Sequence, residues 1–143
     1  MIHDCAITNN YVLIFDLPVT FNTGRRNKDE NASDYPVVWD DNYSSKLGLL
    51  NRNTNEIKWI EVPNCFLFHV VNSYDDSSGK VILDFCRYDK LFDFNNPLPF
   101  GKKPFLTRWE IDIVKETCVE KLLDDRPMEF ARIHPDLEGK EYR

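Results

Sequence analysis

Few residues in this sequence are placed to do metal or acid–base chemistry: three histidines, His3, His69 and His134, and one carboxylate, Glu129, set among apolar neighbours. A neutral imidazole offers a nitrogen lone pair that binds a divalent metal or takes a proton near neutral pH. Each histidine stands alone in its stretch of chain, so spacing by itself reads all three as ordinary core or surface residues. Their contexts differ. His3 is followed by Asp4, whereas His69 ends the aromatic run Phe66-Leu67-Phe68, where a polar ring without a partner is costly. His134 precedes Pro135 in a loop and is assigned no role. Glu129, within Met128-Glu129-Phe130-Ala131-Arg132-Ile133, has two readings. It is an exposed strand glutamate, or it accepts the outer N–H of a ligating histidine, a pairing that fixes the tautomer and raises ligand basicity. Cys5, Cys65, Cys86 and Cys118 form no CxxC pair and no zinc-finger cluster, and are expected as small buried hydrophobes.

The elements that must position these residues follow from composition and periodicity. A chain of 143 residues has the size of one domain, and 13% aromatic content is ample for a core. The formal net charge of -6 argues against a nucleic-acid surface, which needs clustered cations to displace counterions. The basic runs at Arg25, Arg26 and Lys28 and at Lys102 and Lys103 are short and read as solvated loop charge. No apolar run is long enough to span a bilayer and Met1-Ile2-His3-Asp4 does not begin a signal peptide, so a cytoplasmic protein is expected.

Strand-length apolar runs separated by Asn, Asp, Ser, Gly and Pro clusters predict an all-β chain with no sustained helical period. Residues 2–8 and 11–17 flank Asn9-Asn10, a two-residue turn whose Asn residues tolerate positive φ. Residues 20–45 form a long polar surface loop, with strand character only at 35–39. Three further hairpins are expected, pairing residues 46–50 with 57–62, 65–73 with 80–88, and 105–114 with 118–123. Trp109, Ile111 and Ile113 alternate with Arg108, Glu110 and Asp112, which gives one buried and one wetted face. Cys65-Phe66-Leu67-Phe68 is apolar on both faces and must be covered on both. Successive hairpins make a meander, and periodicity does not choose among sandwich, barrel and propeller.

Three segments in order resemble the carotenoid oxygenase family. Met1-Ile2-His3-Asp4-Cys5-Ala6-Ile7-Thr8 is similar to its MxHDxxxT element, whose histidine binds iron. The stretch from Trp59 through Pro63, Cys65, Phe68-His69 and Asn72-Ser73 resembles a second ligand element, W-x-E/D-x-P-x-C-x-x-F-H-x-x-N-A/S. Glu129-Phe130-Ala131-Arg132-Ile133 resembles E-F-P-R-I, whose glutamate supports an iron histidine, by analogy His69. Lys46-Leu47-Gly48-Leu49-Leu50 and Arg108-Trp109-Glu110-Ile111-Asp112 match at suitable spacing. Ala131 stands where proline is usual, which relaxes a backbone constraint on the aim of Glu129.

The resemblance implies an all-β antiparallel meander that is part of a seven-bladed β-propeller, with residues 1–143 an internal segment. It implies Fe(2+) held by four histidines, three of them oriented by glutamates. This chain would supply His3 and His69 as metal ligands and Glu129 as the partner of His69, the other donors and blades lying elsewhere in the polypeptide. It implies an oxygenase in which O2 adds across an alkene of a carotenoid, apocarotenoid or stilbene-like substrate to give two carbonyl products. Peripheral membrane contact is left open. Two alternatives are a truncated non-catalytic β-module acting in binding or as a scaffold, and a self-contained small β-sandwich with His3 and His69 far apart.

Overall fold

The computed structural model describes residues 1–23, 34–94, 100–101 and 103–142. Among the described residues ten strands run in chain order: β1 (Ala6–Ile7), β2 (Tyr11–Asp16), β3 (Val19–Phe21), β4 (Val37–Trp39), β5 (Lys46–Asn51), β6 (Ile57–Glu61), β7 (Phe66–Asp75), β8 (Val81–Tyr88), β9 (Phe105–Asp112) and β10 (Thr117–Pro127). They form two four-stranded antiparallel sheets, ordered β1-β2-β5-β6 and β10-β9-β8-β7, and a separate β3–β4 hairpin. The all-β meander expected from the apolar periodicity is the observed fold. β1 and β7 each end their own sheet and lie against one another.

Three of the four expected hairpins reverse through a left-handed residue, Asn55 (φ 61°), Gly79 (φ 83°) or Glu116 (φ 56°). The first does not, and the expected role of Asn9 and Asn10 is corrected: neither has positive φ. Instead Thr8 Oγ1 accepts the N–H groups of Asn10 (3.2 Å) and Tyr11 (2.9 Å), and its hydroxyl donates to Asp75 Oδ1 at 2.9 Å. The turn is thus held from the second sheet. The strand expected over residues 2–8 shrinks to Ala6–Ile7, paired with Leu13 and Val12. Residues 3 and 4 meet the edge of β7 through their side chains instead.

The strand character expected at residues 35–39 appears as β4, and the second correction is its partner β3. Val19–Phe21 pairs with Val37–Trp39 across the expected loop, and the buried side chains of Val19 and Trp39 face each other in register. A three-residue strand with a distant partner leaves no periodic signature. Residues 24–33 of that loop, with the basic residues they contain, lie outside the described residues.

Leu13, Phe15, Leu47, Leu49 and Ile60 of the first sheet join Phe66, Leu67, Leu83, Phe85, Trp109 and Ile111 of the second in one core, none more than 2% exposed. Burying each such side chain contributes about 1.5–3 kcal/mol. In β9 the expected alternation holds, with Thr107, Trp109 and Ile111 buried. Gly48 is required by close approach: it pairs with Trp59, and an added Cβ would lie 2.9 Å from that indole. All four cysteines are free. Cys65 and Cys86 are buried as expected and Cys118 is half-buried, but Cys5 is exposed, because residues 3–5 run outside the sheets.

Asp84 on β8 is fully buried opposite Arg108 on β9. The guanidinium forks onto both carboxylate oxygens at 2.7 and 2.8 Å, and the Tyr142 hydroxyl donates to Oδ2 at 2.7 Å. This cluster anchors the C-terminal segment, which also offers Gly139 N–H and Lys140 C=O to the buried Asn72 side chain.

The β7–β8 turn carries a pH dependence. Partial burial pushes the Asp76 carboxyl up, but the Ser78 hydroxyl and the N–H groups of Lys80 and Ser78 outweigh it and hold it below the ordinary aspartate range. A depressed folded-state value stabilises the turn above the unfolded value of about 3.9. That contribution is lost as pH falls through the folded value. Protection of the Lys80 amide against hydrogen exchange, relative to its intrinsic rate at each pH, is expected to fall over that acid range, and Asp76→Asn is expected to lower it at neutral pH and to remove the acid step.

Candidate functional site

The site begins with an irregularity in β7. Between Leu67 and Asn72 this strand advances five residues while its partner β8 advances three, from Arg87 to Asp84. Bulges of this kind bend a strand and re-aim its side chains, and His69 lies within this one. Phe68 C=O and Val70 N–H, on either side of His69, bond away from β8. His3 Nδ1 meets Phe68 O at 3.0 Å, and Val70 N–H donates to Asp4 Oδ2 at 2.9 Å.

A carbonyl oxygen only accepts, so His3 Nδ1 carries the proton and Nε2 keeps its lone pair. His69 Nδ1 lies 2.8 Å from Glu129 Oε2, which sets the same tautomer. The two rings stand at 88° with centroids 5.4 Å apart. Glu129 Oε2 also accepts the Phe130 N–H at 2.9 Å, which fixes the carboxylate close to its own backbone. Phe130 is held at φ 55° with its ring 4.2 Å from that of His69. A left-handed aromatic residue stores about 1–3 kcal/mol of strain, and such strain gathers at functional sites.

Phe68 and Phe130 lie against the pair. Phe68 sits edge-on to His3 at 5.0 Å and contacts Phe66, Tyr88 and Phe92. Glu129 Oε1 is buried and accepts no hydrogen bond among the described residues, and the Tyr88 hydroxyl stands near this carboxylate. Burial first, then the Glu129 charge, push the Tyr88 hydroxyl far above the ordinary tyrosine range, so it stays protonated as a donor.

The structure brings His3, His69 and Glu129 together although 65 residues separate the first from Phe68 and 60 separate the last two. The separation of His3 from His69 expected of a self-contained sandwich is absent. Glu129 is mostly buried, so its exposed-strand reading is corrected. His69 is half-buried and His3 exposed. His134 is remote in role, capping a short 3-10 turn by accepting the Asp136 N–H. Ala131 has not loosened the carboxylate, whose bonds to His69 and Phe130 are both short. Sequence reasoning assigned nothing to Asp4, Tyr88 or Phe130. Asp4 had a signal in its adjacency to His3, whereas Tyr88 had none.

A family model described as retinal pigment epithelial membrane protein matches residues 1–143, the whole chain. The chain belongs to that family, the carotenoid oxygenases. Relatives within it include carotenoid 9,10(9',10')-cleavage dioxygenase 1 of Phaseolus vulgaris, 27% identical over all of this chain and 27% of the relative. The apocarotenoid-15,15'-oxygenase of Synechocystis is 31% identical over 99% of this chain and 30% of its own. Resveratrol cleavage oxygenase 1 of Chaetomium globosum is 31% identical over 96% of this chain. The crystal structure of cobalt-substituted Synechocystis ACO superposes with a TM-score of 0.83 and 30% identity, covering all of this chain and 31% of that one. The two sheets are therefore part of a carotenoid oxygenase β-propeller, with β1 and β7 as neighbouring end strands. The chain spans under a third of the length of these relatives.

Proposed function

We propose that the polypeptide carrying this chain is an iron(II) oxygenase that uses O2 to cleave a carbon–carbon double bond in a carotenoid, apocarotenoid or stilbene-like substrate. The observation that carries this reading is the pair of imidazoles 5.4 Å apart, each with Nδ1 engaged and Nε2 left as a donor. The donor chemistry fits, since neutral imidazole suits ferrous iron. His3 and His69 would hold the metal, and Glu129 would orient His69 and raise its basicity. Ferrous iron, when bound, would supply the activation of O2.

The remaining work belongs to side chains. Phe68 packs edge-on to the His3 ring and Phe130 lies over the His69 ring, and Tyr88 keeps a proton beside Glu129. Two donors do not hold iron firmly, and among the described residues no group of three or more His, Cys, Asp or Glu is arranged for a metal. The reading therefore requires further donors from elsewhere in the polypeptide, which would also cover the exposed His3. The substrate class rests on the names of the relatives.

The full-length polypeptide is expected to purify with bound iron and to consume O2 when given an apocarotenoid or a hydroxystilbene, releasing two carbonyl products. The alternative reading is a non-catalytic β-module. Absence of iron together with absence of O2 uptake on every substrate would decide for it.

A further inference from the structure

We propose that Asp4 is a positioning residue that sets the separation of the His3 and His69 imidazoles, an inference that rests on their reading as metal ligands. Its two carboxylate oxygens serve different parts of the chain. Oδ1 accepts the N–H of Cys5 at 2.8 Å, and Oδ2 accepts the N–H of Val70, 66 residues onward, at 2.9 Å. An ordinary turn aspartate explains the first bond but not the second.

The second bond matters because of where it falls. Val70 follows His69 and Phe68 precedes it, and the backbone groups of both flanking residues bond to the segment carrying His3. Two side chains, His3 and Asp4, thus replace the strand that would ordinarily cover this edge. The other ties to β7, from Thr8 to Asp75 and from Ser73 to Ile7, fall further along both segments, so beside the His3 ring a separate brace is needed. Asp4 supplies that brace, through charge-assisted bonds about twice as strong as neutral ones. It is partly buried, which limits competition from water.

Asparagine in its place offers a single acceptor, so one of the two N–H groups would face an amide N–H. In the full-length polypeptide Asp4→Asn is expected to weaken Co(II) binding about 10–100-fold, the range for partners behind metal ligands. It is also expected to shift the visible Co(II) bands and, in metal-free protein, to abolish hydrogen-exchange protection at the Val70 amide. Wild-type affinity and bands would overturn the proposal, as would a loss of affinity with Val70 still protected. Asp4→Glu serves if Asp4→Asn does not fold: it keeps the charge but moves both oxygens outward, and unchanged Co(II) bands would again overturn the proposal. His69→Ala separates the two levels. If it abolishes Co(II) binding while Asp4→Asn retains it, only the role of Asp4 falls. If it leaves Co(II) binding intact, the metal-centre reading falls and the role of Asp4 with it.

Discussion

On the proposed function, iron content and O2-dependent turnover of the full-length polypeptide are expected to be lost in His69→Ala, by more than the 10–100-fold decrease expected of Glu129→Gln. The order follows from what each change removes. On the proposed function alanine at 69 deletes one of the two donors this chain would bring to the centre, and it leaves the Glu129 carboxylate without its imidazole. Glutamine at 129 keeps the size of the side chain and one oxygen able to accept the His69 Nδ1–H, but removes the negative charge that raises imidazole basicity. It also introduces an amide N–H beside the protonated Tyr88 hydroxyl. Metal analysis of the purified variants, with turnover per protein and per bound iron, separates the two effects. Equal iron occupancy in His69→Ala and wild type would remove His69 from the ligand set. Turnover of Glu129→Gln unchanged from wild type would leave the Glu129 contact structural.

The largest expected stability effect lies away from the site, at Arg108. Asp84 has no exposed surface, and of its three hydrogen bonds two come from the Arg108 guanidinium and one from Tyr142. Arg108 is itself drawn more firmly into its cationic form, first by its hydrogen bonds to Asp84 and then by the Asp84 charge, against its own burial. Arg108→Ala strands a buried carboxylate, and breaking such a pair from one side costs about 3–5 kcal/mol. Arg108→Lys keeps the charge but loses the fork, and is expected to cost less. Hydrogen exchange at the β8 and β9 amides measures the loss. A decrease below about 1 kcal/mol, as for surface ion pairs, would show that Asp84 is not isolated from water.

The comparison of sequence with structure divides along physical lines. Period-2 alternation in Phe105–Asp112 and the polar turn clusters report local preference for a pleated, half-buried chain, so four hairpins were legible without knowledge of their partners. Val19–Phe21 was not, because three residues carry too little pattern and the partner lies beyond a long polar stretch. Asn9-Asn10 was recognised as a turn for a reason the structure does not use, since Asp75 from another sheet holds it through Thr8.

The candidate site shows the same division. Residue order alone marked His3, His69 and Glu129 through three motifs, and marked His69 as needing a partner because an imidazole in an aromatic run is costly to leave unpaired. Only the tertiary structure decided that His3 faces His69, that Glu129 is the carboxylate behind His69, and that Asp4 and Tyr88 belong to the same neighbourhood. The physical reason is range. Strand propensity acts between neighbours in the chain, whereas these contacts depend on how a bulge in β7 turns one side chain toward the edge of another sheet, a relation fixed only when both sheets share a core.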